Sequence, residues 1–308
     1  MDTGFCSFRL NNSGRFLLKL AFIAMSVFAR SSAFVYAKED FPRRIISLGP
    51  AITEELFLLG ADDKLIGCTV YCQRPPEAKN KTKVGTAIEV NLEKVVALKP
   101  DVVFATSLTN PQAKEKLKSL GIKVVNFPTA KSFSEICGQF VALGKIVGKE
   151  KEANAIVNIT KTKVDSIRKK VEALPSLRVF VQIGARPLVT VTADSFINDF
   201  IEFAGGVNIA KGAKSIRYSR ESVIKDNPDV IIIVTMGIGA EKEKEIWQRY
   251  KTLKAAREDR IYIVDSDLLC SPTPVSFAET LEEIVNILHP QGELLNADIR
   301  RCNADGRR

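Results

Sequence analysis

The chain has 308 residues, enough for two cores of ordinary size, and its 45% hydrophobic content excludes general disorder. The net charge is +9 and the isoelectric point is near 9.2, but the cations are interspersed with acids rather than gathered in one block. With no zinc-finger spacing and no aromatic–basic motif, nucleic acid is not an expected partner.

Part of that charge belongs to the amino terminus. Arg9, Arg15 and Lys19 precede an apolar run from Leu20 to Ala29, and small residues follow as far as Val35, Tyr36 and Ala37. This is the layout of a signal peptide over residues 1–37, cleaved after Ala37. The run falls short of the roughly 20 apolar residues a membrane span needs. Cleavage removes four basic residues and one acid, which lowers the net charge from +9 to +6. No cysteine sits at the cleavage point, so the expected product is a soluble protein of a periplasm without a lipid anchor.

In chain order, residues 44–48 read as a strand broken by Gly49 and Pro50, and Thr53 to Leu59 takes helical spacing up to Gly60. Leu65, Ile66 and Gly67 form a second strand, after which Pro75 and Pro76 hold a loop extended. Asn91 caps a brief helix that runs to Leu98. Pro100 and Asp101 restart the chain into Val102–Ala105, a buried parallel strand. A helix over 111–120, its leucines toward the sheet, stops at Gly121, and 122–125 is the next strand. From Phe133 the chain is helical to Gly148. A long helix over 151–174 then carries Ala155, Ile159, Val164 and Ile167 among charges, and Pro175 closes it.

A second set follows. Strands are expected at 179–183, 188–191, 230–235 and 261–265, and helices at 196–204, 222–225, 241–250 and 280–288. Residues 291–308 lack periodicity and read as a flexible tail. The two sets share a local pattern: NLEKVVALKPDVVFA (91–105) and RESVIKDNPDVIIIV (220–234) each run a short helix into Pro-Asp and a strand. The fold class is therefore α/β. Two similar α/β lobes, 38–146 and 176–290, are joined by a single long helix within 147–175, and a ligand cleft lies between the lobes at the carboxyl ends of their strands.

Chemistry-bearing motifs are scarce. There is no Gly-x-Ser-x-Gly, no Walker lysine motif, and one histidine, His289, beside Pro290. An enzyme is not expected, nor a metal site, nor an intrinsic cofactor. Of six cysteines, Cys6 lies in the leader, Cys68 and Cys72 are four apart, and Cys137, Cys270 and Cys302 stand alone. An oxidising compartment permits disulfides, but spacing does not assign partners, so Cys68 and Cys72 are either bridged or free.

Several segments carry a resemblance: RIISLGPAITEELFLLGADDKLIGCT (44–69), YCQRPPEAKNKTKVGTAIEVNLEKVVALKPDVVFA (71–105), FINDFIEFAGGVNIA (196–210) and YSRESVIKDNPDVIII (218–233). In this order, over roughly residues 43–289, the chain resembles the helical-backbone class of substrate-binding proteins of ABC importers. That group serves cobalamin, haem and ferric siderophores, and the Tyr-x-x-x-Pro-Pro loop at 71–76 places the chain nearest its cobalamin branch. The resemblance implies a monomeric periplasmic receptor that hands a small molecule to the importer's membrane subunits. It implies that Glu93 and Glu221 dock on arginines of those subunits, though both also fit as first-turn helix acids favoured by the helix dipole. It puts cleft aromatics at Tyr71, and at Ala87 and Ile183, where this chain keeps none. Further ligand-contact candidates are Cys72, Tyr218 and Asp267. The loop residues Arg74, Arg186 and Arg217 suit carboxylate- or phosphate-bearing ligands. The implied ligand is a corrinoid. The alternative is haem, with Tyr71 or Tyr218 as axial ligand, or a ferric siderophore.

Overall fold

The structure is a computed structural model that describes Met1 and residues 41–234 and 239–290. The expected leader at 1–37, the tail at 291–308 and Thr235 of the expected 230–235 strand lie outside the described residues.

The first half builds a parallel sheet from β1 (Ile45–Ser47), β2 (Leu65–Cys68), β3 (Thr82–Lys83), β4 (Val102–Thr106) and β5 (Lys123–Phe127), in the order β3-β2-β1-β4-β5. Strands β1 and β4 are buried on both faces almost throughout, hence their uninterrupted apolar sequences. The order reverses at β1, whose successor β2 lies on one side and β4 on the other. The crevice at the carboxyl ends of β1 and β4 is thus a topological switch point. Helices α1 (Pro50–Leu58), α2 (Leu92–Ala97) and α3 (Pro111–Ser119) connect these strands. In α3 only Leu117 is buried as expected, whereas Leu120 is half-exposed because the helix has already ended.

The second half repeats the theme. Strands β6 (Leu177–Ala185), β7 (Leu188–Thr190), β8 (Gly206–Asn208), β9 (Val230–Ile233) and β10 (Ile261–Ile263) form a sheet ordered β10-β9-β6-β7, with β8 also on β6. All pairs are parallel except β6–β7, a tight hairpin. Its helices are α6 (Phe196–Phe203), α7 (Arg220–Asp226), α8 (Ala240–Gln248), α9 (Lys254–Arg257) and α10 (Ser266–Cys270).

Between the sheets runs a helical layer. Helix α4 (Phe133–Val147) ends at Gly148, whose φ of 78° is left-handed, and a Cβ there would meet the Phe41 ring at 2.7 Å. The linker helix α5 then spans Glu150–Val171, shorter at both ends than the 147–175 window. At 1.5 Å per residue its 22 residues reach about 33 Å. Its buried stripe is Ala153, Val157, Thr160, Val164, Ile167 and Val171, spaced four and three apart. The expected apolar positions Ala155 and Ile159 are exposed instead, because the face is rotated and Thr160 takes the buried place. The last helix among the described residues, α11 (Pro274–Leu288), begins six residues before the expected 280. Thr273 and Ser276 form a reciprocal capping box around Pro274 and start it there. Buried residues of both sheets, α4, α5, α6 and α11 belong to one continuous apolar core.

The sequence repeat proves to be a structural one. In the first half, Asn91 caps α2 by accepting from Lys94 N (2.9 Å), Lys99 is left-handed at φ 46°, and the Asp101 carboxylate accepts from the amides of Arg43 and Arg44 (2.7 and 2.9 Å). The Arg44 guanidinium donates to Leu98 O at 2.6 Å. In the second half, Ser219 caps α7 by accepting from Ser222 N (3.1 Å), Asn227 is left-handed at φ 44°, and Asp229 accepts from Arg178 N at 2.7 Å. Arg178 donates to Asp226 O, also at 2.7 Å. Glu93 and Glu221 occupy the same place in this unit, exposed in the first turn of the capped helix.

Candidate functional site

A cavity of about 300 Å³ opens at the switch point of the first sheet. Its walls are the β1–α1 turn (Leu48, Gly49, Pro50) with Ile52 and Glu55 of α1, the turn after β4 (Thr106–Leu108), and the end of β5 from Phe127 to Ala130. Ile136 and Gln139 of α4 add a side. From the second half come Phe196 at the start of α6 and Cys270–Pro272 at the end of α10, so the cavity lies between the halves. Gly49 is needed where the two turns meet, since a Cβ there would come within 2.7 Å of the Thr106 methyl group.

The lining is apolar with a few polar groups, most of them committed. Gln139 Nε2 donates to Pro128 O (2.9 Å), Ser107 Oγ accepts from Thr129 N (2.9 Å), and Thr106 Oγ1 accepts from Leu108 N (3.3 Å). Among the described residues, no lysine or arginine lines the cavity. Its ionisable groups are Cys270, whose thiol burial and the nearby Asp267 and Asp265 push up to about 11, and Glu55, 6% exposed. Complete burial, with the neighbouring Glu54 second, raises the Glu55 carboxyl well above its usual 4.5.

The sign of that shift gives a stability prediction. A carboxyl whose folded pKa is raised contributes stability that is full below the unfolded value of 4.5 and is lost as pH rises toward the folded one. Glu55→Gln, neutral at every pH, is expected to raise the melting temperature at pH 7.5 by about 2–4 °C, the shift roughly 1 kcal/mol produces in a domain of this size. The gain should disappear near pH 4.5. Calorimetric melting of both proteins across that range checks it; a variant less stable at pH 7.5 would contradict it.

Of the ligand-contact candidates named from the sequence, Ala87 alone lines the cavity. Tyr71 is 61% exposed on the loop after β2. Cys72 beside it is fully buried, its sulfur accepting from Thr53 Oγ1 (3.2 Å) and touching the Thr69 hydroxyl (3.1 Å). Cys68 and Cys72 are free thiols, and Cys68 Sγ accepts from Lys83 Nζ at 3.2 Å. The neighbouring Cys68, with the hydrogen bonds from Thr53 and Thr69, holds the Cys72 thiol low, while the neighbouring Cys72 and burial push Cys68 up. Ile183 packs at the edge of the core, and Arg186 and Arg217 are exposed on loops. Tyr218 stacks near Phe180 and donates its phenolic proton to Asp226 (2.8 Å); burial and that bond push its pKa up to about 12.

Arg74, expected from its loop as a ligand contact, is placed against other groups of the protein. It pairs with Glu54 at 3.2 Å and reaches across to the second half, donating to Asp267 O (2.9 Å) and Ser271 O (3.1 Å). Asp267 itself is exposed, and its part in this contact is its backbone carbonyl. Charge-assisted hydrogen bonds of this kind contribute about 1.5–3 kcal/mol each. Arg74→Ala is therefore expected to ease parting of the two halves and to speed ligand release about tenfold or more, read by stopped-flow dissociation. Unchanged release rates would show that the contact does not restrain the cleft.

The described residues of the second sheet's crevice fill it with a hydrogen-bonded cluster instead. Gln182 accepts from the lone tryptophan, Trp247 (2.6 Å), and donates to Glu243 (2.9 Å), which is paired with Arg220 (2.5 Å). Trp247 is fully buried there, among Phe180 and Tyr250.

The sequence profile of the periplasmic binding protein family matches residues 45–268. The chain belongs to that family. An ABC transporter substrate-binding lipoprotein of Bacillus subtilis strain 168, YvrC, described as uncharacterized, is 32% identical over 257 residues, covering 81% of each protein. The vitamin B12-binding protein of Vibrio cholerae (strain O395) is 28% identical over 255 residues, 81% of this chain and 91% of that one. Among solved structures, the periplasmic vitamin B12-binding protein of Vibrio cholerae aligns with a TM-score of 0.69 at 25% identity, over 83% of this chain and 98% of that one. A possible iron-binding, periplasmic solute-binding protein of Staphylococcus epidermidis aligns at 0.73 and 29%, over 81% and 99%. A periplasmic haem-binding protein of Pseudomonas aeruginosa shares the fold, with a TM-score of 0.71 at 21% identity over 80% and 92%. The two-lobe α/β architecture read from the repeat is the architecture of these proteins.

Proposed function

We propose that this family member is an exported receptor that captures a corrinoid, a cobalamin-like ligand, between its halves and delivers it to the membrane subunits of an ABC importer. It binds and carries rather than catalyses. The observation that carries the choice of ligand is the charge of the cavity wall: no lysine or arginine among its described residues, and one buried carboxyl held toward its neutral form. Haem brings two carboxylates, which would be desolvated there without a counter-charge. The rim of a corrinoid brings uncharged carboxamides, and the one anionic group of a cobalamin is the phosphodiester of its nucleotide loop. Axial ligands for haem are also poorly served: Tyr71 and Tyr218 are absent from the cavity wall, the Tyr218 phenol is held protonated, and the Cys270 thiol is held protonated as well. The vitamin B12-binding relatives support the same choice.

A corrinoid exceeds the volume of the cavity, so the halves must part to admit it. Arg74 is the contact that would yield. Glu93 and Glu221, in equivalent places in the two halves, are the docking charges.

The test is isothermal titration of the chain lacking residues 1–37 with cyanocobalamin, dicyanocobinamide, haemin and a ferric siderophore. Heat rather than fluorescence is the better readout, because Trp247 is buried away from the cavity wall. One-to-one binding of a corrinoid at least about a hundredfold tighter than haemin is expected, a difference of about 2.7 kcal/mol. Preference for haemin or the siderophore would overturn the corrinoid reading in favour of the iron-ligand alternative.

A further inference from the structure

We propose that Glu55 is the residue that recognises the ligand's polar periphery, its carboxyl pairing with an uncharged carboxamide; this rests on the corrinoid reading and gives that reading a specific contact. Glu55 is the polar group of the wall that is both buried and without a partner among the described residues. Gln139, Ser107 and Thr106 each have a partner within the protein, whereas the Glu55 side chain has no hydrogen bond to any described residue. It is 94% buried, on the same helix as Ile52, and the space it adjoins is the cavity. A buried polar group without a partner is costly, and the cost is relieved when something that enters the cavity bonds to it.

The surroundings determine what that something is. The groups facing Glu55 are Glu54 on its own helix, already paired with Arg74; Cys137 on α4, whose thiol burial pushes up to about 11 and which lies near Lys161; and Cys270 across the cavity. None of these supplies a cation to Glu55, so its surroundings shift it toward the neutral acid. A neutral carboxyl donates its proton to an amide oxygen and accepts from the amide N–H, closing a planar ring of two hydrogen bonds. A ligand carboxylate at the same place meets a donor on one side only, and repulsion if Glu55 ionises. Ionisation of Glu55 also removes the donor, so affinity for an amide-bearing ligand falls as pH rises.

Titrations with cyanocobalamin at pH 6, 7.5 and 9 test this in the wild-type chain, Glu55→Gln and Glu55→Leu, each checked for folding by circular dichroism. Wild-type affinity is expected to fall about tenfold from pH 6 to pH 9. Glu55→Gln, which keeps one donor and one acceptor, should hold the pH 6 affinity within about threefold and lose the pH dependence. Glu55→Leu should bind about tenfold to a hundredfold more weakly at pH 6. A monocarboxylate of cyanocobalamin, one amide replaced by an acid, should bind more weakly than the parent to the wild type. Glu55→Leu binding like the wild type, or Glu55→Gln keeping the wild-type pH slope, overturns the assignment of Glu55 alone. If Glu55→Leu does not fold, the pH slope of Glu55→Gln decides. A wild-type chain that binds no corrinoid at any pH overturns the corrinoid reading, and this contact with it.

Discussion

Phe277→Ala is expected to cost about 3–5 kcal/mol, a large share of the roughly 5–15 kcal/mol by which a native protein is stable at all. Phe277 is fully buried in α11, its ring stacked on Phe200 at 4.0 Å and on Phe133 at 4.5 Å, with the edge of Phe203 at 6.2 Å. These rings come from α11, α6 and α4, that is, from both halves. The arrangement is reinforced by the amide of Phe133, which donates to the Asp199 carboxylate at 2.7 Å, and by Arg168 of α5 lying over Phe203 at 4.4 Å. Removing the central ring leaves a cavity between layers that cannot collapse independently, and it forfeits two stacked pairs worth about 0.5–1.5 kcal/mol each. Because the apolar core is continuous through both halves, urea unfolding of the wild type should be one cooperative transition, and that of Phe277→Ala one transition at lower denaturant. A loss below about 1 kcal/mol, or two separated transitions in the wild type, would mean that the halves fold as independent units.

The second large effect is functional. Reversing both proposed docking charges, Glu93→Arg with Glu221→Arg, is expected to abolish delivery of ligand while leaving its capture intact. Each glutamate is in the first turn of a short helix capped by Asn91 or Ser219, and each helix is locked to its sheet by the same Asp–backbone and Arg–carbonyl bonds. Backbone and Ser219 hydrogen bonds lower the Glu221 carboxyl below its usual range, which keeps it ionised at neutral pH. Two charges held rigidly at equivalent places suit a two-point contact, which governs encounter and register more than raw affinity. In vesicles carrying the importer, ligand-dependent ATP hydrolysis should fall about tenfold for either single reversal and about a hundredfold or more for the pair. Corrinoid affinity should stay within about twofold. Full stimulation by the double variant would remove these residues from the docking surface; lost ligand binding would mean the change acts on the cleft instead.

The repeat was the most legible part of the fold, because its pieces are local. A capping Asn or Ser, a short apolar stripe and Pro-Asp before a buried strand leave their mark on successive residues, and the structure adds only the matching arginines. The linker helix was legible in existence but not in orientation: its charged residues allowed two apolar stripes, and packing against α4 and α11 chose the one through Thr160 over the one through Ile159. The cavity was the least legible. The rule that ligands sit beyond the carboxyl ends of strands points to the turns after β1 and β4, yet Gly49, Thr106 and Ser107 look like ordinary turn residues. Glu55 reads as one more acid on an amphipathic helix; only the packing of α4 across it reveals that its carboxyl is enclosed. Arg74 shows the converse. A loop arginine advertises an anion site, but the carboxylate it meets is Glu54 of its own chain, and the carbonyls it joins come from residues nearly 200 positions away.

Hydrogen exchange of the chain lacking residues 1–37, measured by mass spectrometry with and without saturating cyanocobalamin, tests most directly whether ligand is held between the halves. Protection is expected to appear together in four segments, 48–55, 106–108, 127–130 and 270–272, with little change around Trp247 or in β10. Saturable binding that protects only surface segments elsewhere, or only one half of the cavity wall, would contradict capture between the two sheets.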